Sequence, residues 1–286
     1  MKTNAIVRIV LFSIAILVLA GILITGLLID MFRFDTSTEG QNLPVAFDGL
    51  TSRGAVGAED ILNLDIEWVA GSITIQPDEN TDQINISETG TDNEKYAMVY
   101  FKSGNTLSIR YCKESIKFPS FGINVNISKD LVITVPAGWI CNELSIETAS
   151  ADLNIHDMQI NQVDFDGASG DCRFENCTVD EFSMDSASGN VDFSGILYSM
   201  DFDGASADCR ISVSNIPNEI DIDSASGDLE LYLPENCGFT CTLSSMSGDF
   251  ESDFETASRK GSHIHGDGSC HITVDAMSGN VRIYKQ

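Results

Sequence analysis

The sequence is short of basic residues. It has 16 Lys and Arg residues against 43 Asp and Glu residues, which gives a formal net charge of -27. A chain this acidic repels the phosphates of nucleic acid and the headgroups of anionic lipids. The deficit therefore excludes nucleic acid as a partner and indicates that any ionic partner is cationic.

Motifs that carry catalytic or metal chemistry are also missing. The chain has no H-E-x-x-H motif, no phosphate-binding loop and no C-x-x-C pair, and its G-A-S-G segments do not fit a nucleophile elbow. A glycan-active enzyme stays open as an alternative, because such enzymes place paired carboxylates in acidic grooves. A catalytic pair should interrupt a repeat, however, and here the acids belong to the repeat. We therefore expect no enzymatic activity.

The first long hydrophobic run extends without a charge from Ile9 to Ile29. As a helix it spans roughly 30 Å, the thickness of the hydrocarbon core of a bilayer. Lys2 and Arg8 precede the run and mostly acidic residues follow it. By the positive-inside rule, residues 1–8 are cytoplasmic, residues 9–29 form a single transmembrane helix in the cell membrane, and the C-terminal domain is extracytoplasmic. The alternative is a signal peptide cleaved near Ala20, but the run continues well past that residue.

The rest of the chain divides by composition. Residues 30–60 are rich in Gly, Ser, Thr and Asp, which is typical of a linker. Residues 61–286 carry a repeat and are predicted to form one domain. Within it, residues 76–143 lack the small-residue turn of the repeat and are expected to be inserted β-hairpins.

The repeat starts with "LDIEWVAGSITI" (64–75), aligns with "LSIETASADLNI" (144–155) and recurs at spacings of 18 to 20 residues in units such as "VDFDGASGDCRF" and "IDIDSASGDLEL". Apolar and polar residues alternate on each side of an Ala-Ser-Gly turn, which is the period of a half-buried strand. Four buried columns are expected: Leu144, Val163, Phe182, Met200 and Ile220; Ile146, Phe165, Met184, Phe202 and Ile222; Leu153, Cys172, Val191, Cys209 and Leu229; Ile155, Phe174, Phe193, Ile211 and Leu231.

This pattern predicts an all-β fold, a right-handed parallel β-helix or β-solenoid with rungs of about 19 residues, preceded by the one transmembrane helix. A meander of antiparallel hairpins that turn at Ala-Ser-Gly satisfies the same alternation and stays open. Several of the eight cysteines fall where other repeats carry Val, Leu or Ile. We therefore expect mostly buried free thiols, with disulfides as the alternative in an exported chain.

Acidic residues form two further columns, one on each side of the turn. The first column contains Glu147, Asp166, Asp185, Asp203, Asp223 and Asp275; the second contains Asp152, Asp171, Asp208, Asp228 and Asp249, with Asn190 and Asn280. Two facing carboxylate ladders could take up Ca²⁺, so Asp166, Asp171, Asp185, Asp203, Asp208, Asp223 and Asp228 are candidate metal ligands. The alternative is turn chemistry on a solvated face, which needs no metal or other cofactor. The His/Cys-rich segment "HIHGDGSCH" is expected to be a surface loop rather than a metal site.

The recurrent "SASGD" and "MSGN" turns, "LVITVPAG" (131–138) and the closing "GDGSCHITVDAMSGNVRIYK" resemble a bacterial adhesin-like family with β-strand repeats, a domain of otherwise unknown function. The N-terminus is similar to the anchor of its Gram-positive members. The resemblance implies a β-helical extracytoplasmic domain with no catalytic residues, and links some relatives to cell-envelope stress. We expect an envelope protein whose acidic surface binds cell wall, a cationic peptide or a protein. A stress-signalling accessory that binds another membrane protein is the alternative.

Overall fold

The computed structural model describes residues 46–48, 51–91, 93, 96–112, 128–259 and 261–286. Within these ranges helical conformation is confined to a 3-10 turn, Ala58–Asp60, and to Tyr96, and the described residues include no helix that could span a membrane. The predicted transmembrane segment, residues 9–29, lies outside the described residues. The all-β prediction is confirmed, since twenty strands form one continuous sheet.

The strands are β1 Ala46–Asp48, β2 Thr51–Gly57, β3 Asn63–Asp78, β4 Gln83–Thr89, β5 Val99–Ser103, β6 Thr106–Arg110, β7 Lys129–Pro136, β8 Ile140–His156, β9 Gln159–Ser169, β10 Cys172–Ser188, β11 Val191–Ser206, β12 Cys209–Val213, β13 Glu219–Ser226, β14 Leu229–Leu233, β15 Phe239–Ser247, β16 Phe250–Ser252, β17 Ala257–Arg259, β18 Ser262–His265, β19 Cys270–Ser278 and β20 Val281–Lys285. β1 and β2 lie within residues 30–60, the stretch predicted to be linker, and β2 pairs with β4.

The repeats stack in parallel, as a solenoid requires. Leu144 pairs with Val163, Val163 with Phe182, Phe182 with Met200 and Met200 with Ile220, all between parallel strands. The antiparallel meander is therefore wrong. Like residues stack because neighbouring strands lie about 4.8 Å apart and each repeat presents the same alternation. The right-handed sense stays a prediction.

Each layer of the stack has a pre-turn segment and a post-turn segment. We number the nine layers in spatial order. Layer 1 is β6 with β7, layer 2 the two halves of β3, layer 3 the two halves of β8, layer 4 β9 with the start of β10, and layer 5 the rest of β10 with the start of β11. Layer 6 is the rest of β11 with β12, layer 7 β13 with β14, layer 8 β19 with β20, and layer 9 β15 with β16. The core fills the space between the two segments, and every residue of the four predicted columns is at most 5% exposed.

The order of layers differs from the order of the chain at both ends. At the N-terminal end, β6 and β7 pair in parallel with β3, so part of the predicted insertion completes layer 1. The hairpin character expected there is present in β5 and β6, which are antiparallel. At the C-terminal end, β19 and β20 lie between layer 7 and the earlier strands β15 and β16. The last segment of the chain is therefore an interior layer.

Small residues line the turn because the neighbouring layer leaves no space for a side chain. A Cβ at Gly227 would overlap the carbonyl oxygen of Ala207, and Gly227 has a φ of 147°, which strains any other residue. Ala151 and Ala207 occupy the same column without a positive φ. Size is therefore the shared requirement at these turns, and left-handed backbone is needed only in some layers.

The cysteines contribute to the core as apolar residues. All eight are buried, and the seven from Cys141 to Cys270 are free thiols. Burial raises the pKa of Cys209, Cys241 and Cys270 to about 12. These thiols are neutral near pH 7 and are poor nucleophiles.

A buried ion pair joins the inserted strands to layer 2. The Lys129 ammonium lies 2.6 Å from the Glu88 carboxylate, and neither side chain is more than 1% exposed. The ammonium also donates to the carbonyls of Tyr96 and Tyr111 and lies 4.7 Å from the centre of the Trp68 ring. This cluster ties β4, the end of β6 and β7 to β3 in one place.

Candidate functional site: an acidic face

The second predicted acidic column is a hydrogen-bond ladder, and we call it the turn ladder. In each layer a side-chain oxygen accepts the backbone N–H of the equivalent residue in the next layer. The ladder runs through Asp152, Asp171, Asn190, Asp208, Asp228, Asn280 and Asp249, with N···O distances from 2.8 to 3.1 Å. These oxygens therefore already have a structural partner, which is the backbone of the neighbouring layer and not the residue's own backbone as in the turn-chemistry alternative.

One member of the turn ladder shows the electrostatic consequence. Burial disfavours the ionised form of Asp228, but hydrogen bonds from the Asn280 backbone and side chain and from Arg282 outweigh that effect and lower the pKa of the carboxyl. The Arg282 guanidinium lies 2.9 Å from the Asp228 carboxylate. Asp228 of the turn ladder therefore stays ionised because hydrogen-bond donors and a guanidinium balance its negative charge.

The first predicted column is arranged differently, and we call it the acidic column. Its members lie directly opposite one another in successive layers, and the structure adds Glu67 at its start. The column runs through Glu67, Glu147, Asp166, Asp185, Asp203, Asp223 and Asp275. Among the described residues, no hydrogen bond or ion pair reaches the carboxylates of Asp166, Asp185, Asp203 or Asp223. Like charges therefore face one another without compensation.

A companion column lies two residues earlier in each layer and on the same outward side. Its acidic members include Asp164, Asp201 and Asp221; Ser183 separates Asp164 from Asp201, and Asp201 lies directly opposite Asp221. With Glu181 and Glu219 they line a shallow groove of about 420 Å³. We call the acidic column and its companion column together the acidic face.

The acids of this face hold their protons more tightly than usual. Burial raises the pKa of Asp166, Asp185 and Asp203, and the charges of neighbouring carboxylates add to that effect. Burial, followed by the charges of Asp275 and Asp203, raises the pKa of Asp223 to about 6. The face therefore carries a repulsion that a bound cation would relieve.

The post-turn side of the same layers has an alternating charge pattern. Moving up the stack, layers 4 to 9 present Arg173, Asp192, Arg210, Glu230, Arg282 and Glu251 in one column. The pattern alternates only in the spatial order of layers, since the chain order would place Glu230 next to Glu251. The post-turn column thus alternates in charge. The acidic column has a basic neighbour at its start, where Arg110 lies opposite Glu67 and pairs with it at 2.9 Å, but Asp166, Asp185, Asp203 and Asp223 have no such partner among the described residues.

The raised pKa values make stability depend on pH. Because folded Asp223 binds its proton more tightly than the unfolded chain does, the free energy of unfolding should fall as pH rises from about 4 to about 6. We expect Asp223→Asn to raise it by about 1 kcal/mol at pH 7, since solvent and salt screening reduce the full effect of the shift. Urea unfolding at several pH values measures this. The control, Asp228→Asn, should lower stability, because it weakens the pairing with Arg282; a loss of stability in both variants would contradict the assignment.

Sequence reasoning found most of the face and missed part of it. It identified Asp166, Asp185, Asp203 and Asp223, and the structure brings them into one column. It placed Asp171, Asp208 and Asp228 in a second column, which the structure engages in hydrogen bonds. It missed Asp164, Asp201 and Asp221, although the D-x-D spacing in "VDFDGA", "MDFDGA" and "IDIDSA" puts both acids on one side of a strand.

Among the described residues, no cluster of ligands supports the predicted Ca²⁺ binding or a metal site in the His/Cys-rich segment. Within the part of the chain that the structure describes, no group of three or more His, Cys, Asp or Glu side chains is placed to hold a metal ion. Ca²⁺ binding by the ladders therefore stays a prediction. In the His/Cys-rich segment, His263 and His265 belong to strand β18, where they contact Phe250 and Phe254, and Cys270 is buried in β19.

Solved structures with a related architecture share little sequence with this chain. A "putative cell adhesion protein" from Clostridium sporogenes has 11% identity and a TM-score of 0.41, covering 82% of this chain and 99% of that one. A "putative adhesin" from Bacteroides fragilis has 11% identity and a TM-score of 0.40, covering 82% and 97%. A "putative lipid binding protein" from Parabacteroides distasonis has 14% identity and a TM-score of 0.29, covering 84% and 98%.

No curated protein matches the chain. The family comparison is more informative, because one family profile spans nearly the whole solenoid. The Toastrack DUF4097 profile matches residues 61–284, which contain every layer described above. The chain therefore belongs to the Toastrack DUF4097 family.

Proposed function

We propose that this protein is a membrane-anchored, extracytoplasmic binding protein of the cell envelope without catalytic activity, and that its acidic face binds a cationic partner. One observation carries the proposal: among the described residues, the carboxylates of Asp166, Asp185, Asp203 and Asp223 have no hydrogen-bond or ion-pair partner, whereas the post-turn column of the same layers alternates in charge. Acidity that served only solubility would not require acids to be concentrated in one column while acidic and basic residues alternate in the other. A cationic peptide or a cationic group of the cell wall fits such a face.

The repulsion within the column supplies the driving force for this partner. Two carboxylates about 4.8 Å apart repel by roughly 1 kcal/mol in water and by a few kcal/mol near a protein surface. A partner with cationic groups at a similar spacing removes that repulsion and adds attraction. Affinity should consequently fall as salt rises, since exposed charges are screened within about 10 Å at moderate ionic strength.

The anchor is supported by where the chain enters the solenoid. β2 pairs with β4, and β4 pairs with β7 in layer 1, so the segment that leads back to the hydrophobic run approaches the N-terminal end of the stack. With residues 9–29 in the membrane, layer 1 is proximal and layer 9 distal. The acidic face would then extend away from the membrane toward the wall.

The binding proposal is tested with a labelled oligolysine as the probe. In the full-length chain in detergent, we neutralise the face with Asp166→Asn, Asp185→Asn, Asp203→Asn and Asp223→Asn. The control makes the same change in net charge at exposed acids elsewhere, with Glu59→Gln, Glu79→Gln, Asp82→Asn and Glu235→Gln. We expect the face variant to raise the Kd about tenfold, equivalent to about 1.4 kcal/mol, and the control less than threefold.

Fluorescence anisotropy at two salt concentrations gives both Kd values. Equal losses in the two variants would show that net charge alone attracts the probe and would overturn the proposal. The face variant should also unfold at higher urea concentration than the wild type, because it removes the repulsion, so a weaker affinity could not be attributed to misfolding.

A further inference from the structure

The distal end of the solenoid has an open strand edge. The hairpin of β17 and β18 covers only the first part of β15, where Phe239–Thr242 pairs with Ser262–His265. Beyond that, β15 pairs only with β19, and β16 pairs only with β20. Layer 9 therefore presents an outer edge from Leu243 to Ser252 that no described strand covers.

The direction of the backbone groups follows from the inner hydrogen bonds. Cys270 N–H donates to the Gly238 carbonyl, and Asp253 N–H donates to the Ile283 carbonyl, both between layers 8 and 9. Because backbone groups alternate along a strand, the N–H and C=O groups of Leu243, Ser245, Phe250 and Ser252 point away from layer 8. They form two rows of donors and acceptors separated by the turn.

The turn ladder ends at this edge with one acceptor left over. In layers 3 to 8 the ladder side chain accepts an N–H from the next layer, as Asp228 does from Asn280 and Asn280 does from Asp249. Asp249 belongs to layer 9, and its carboxylate accepts no hydrogen bond from any residue that the structure describes. A further strand laid parallel on layer 9 would supply the missing N–H.

Two exposed methionines lie beside this position. The residue before the turn serine is alanine in layers 3 to 7 but Met277 in layer 8 and Met246 in layer 9. They are 40% and 53% exposed and lie on neighbouring strands. Methionine adapts to varied apolar surfaces, so this pair can pack against an apolar side chain of an added strand.

The charges of the edge select its occupant. Asp249, Glu251 and Asp253 follow the turn, and the nearby guanidinium of Arg282 is shared: it lies 2.9 Å from Asp228 and 3.6 Å from Glu251. A second copy of this chain would bring the same acids and a net charge of -27 against them. We propose that the outer edge of layer 9 is a docking site for one extended segment of a partner protein that alternates basic and apolar residues, added as a tenth parallel layer.

The experiment uses a labelled peptide that alternates lysine with valine, and the same peptide with alternate backbone nitrogens methylated. Both peptides have the same charge, but the methylated one cannot pair along a strand. With the full-length chain in detergent, we expect methylation to raise the Kd at least about tenfold. Glu251→Lys should raise it about fivefold, and Glu59→Lys, the same change at the opposite end, less than twofold.

Hydrogen exchange identifies where the peptide binds. The expected result is slower exchange at Leu243, Ser245, Phe250 and Ser252, in the wild type and equally in the four-Asn variant of the acidic face. Equal affinity of the two peptides, or protection confined to the acidic face, would overturn the edge proposal while leaving the acidic-face proposal standing. Protection of these amides without peptide that grows with protein concentration would identify a second copy as the occupant and overturn it as well.

Discussion

Lys129→Met should lower the free energy of unfolding of the N-terminal layers by about 3–5 kcal/mol, because it leaves the Glu88 carboxylate buried without its cation. Glu88 is 1% exposed, and its other oxygen already accepts the Met98 N–H at 2.7 Å. Loss of the ammonium also removes the contacts with the Trp68 ring and with the carbonyls of Tyr96 and Tyr111.

The double variant Glu88→Gln, Lys129→Met distinguishes loss of charge balance from loss of shape. Gln keeps an oxygen for the Met98 N–H and carries no charge, so the pair should recover at least half of the lost stability. Both tryptophans report on this end, since Trp68 donates to the Lys129 carbonyl and Trp139 to the Ile61 carbonyl. Urea unfolding followed by tryptophan fluorescence is therefore the measurement. A single variant within about 1 kcal/mol of the wild type would show that the pair contributes little.

The residues that fill the interior of the solenoid could be predicted from the sequence because every repeat carries the same pattern of apolar residues. Val163, Phe182 and Ile220 each follow the same two-residue alternation at the same distance before a turn serine, and one register satisfies every unit. The serine, glycine and aspartate of the turn are likewise repeated. Parallel stacking then follows, since it alone brings the equivalent residues of all units together.

The order of the end layers could not be predicted from the period. "CTLSSMSGDF" and "ITVDAMSGNV" both fit a layer that follows β13, and alternation does not say which is adjacent to it. The usable signal was charge: Glu230 pairs well with Arg282 and badly with Glu251. Lys129 was hidden for a different reason. In "VNISKDLVITV" it reads as a solvated charge at the start of a strand, and only the fold brings Glu88 to it.

Removing residues 270–286 should therefore disrupt the C-terminal third of the solenoid instead of trimming its end. These residues form layer 8, in which Ile272, Val274, Val281 and Ile283 are at most 4% exposed. Each contributes about 1.5–3 kcal/mol as an upper bound, and layers 7 and 9 lose the surface against which they are buried. We expect β15 to β18 to detach and the Cys241 thiol, which is 0% exposed, to react with a thiol reagent within minutes. A control truncation of Gln286 alone should leave Cys241 unreactive.

The competing outcome is that layer 9 slides into the vacant position and pairs directly with layer 7. Core alternation permits this, because Cys241, Leu243 and Phe250 are apolar at the required places. The charged columns oppose it, since the slide would put Glu251 against Glu230 in place of Arg282, and like charges directly opposite one another destabilise a sheet. If the truncated chain keeps Cys241 protected and Glu251→Lys adds no stability, the charge pattern has no part in setting the order of layers. If Cys241 becomes reactive and Glu251→Lys restores its protection, the alternating column specifies that order by excluding the wrong neighbour.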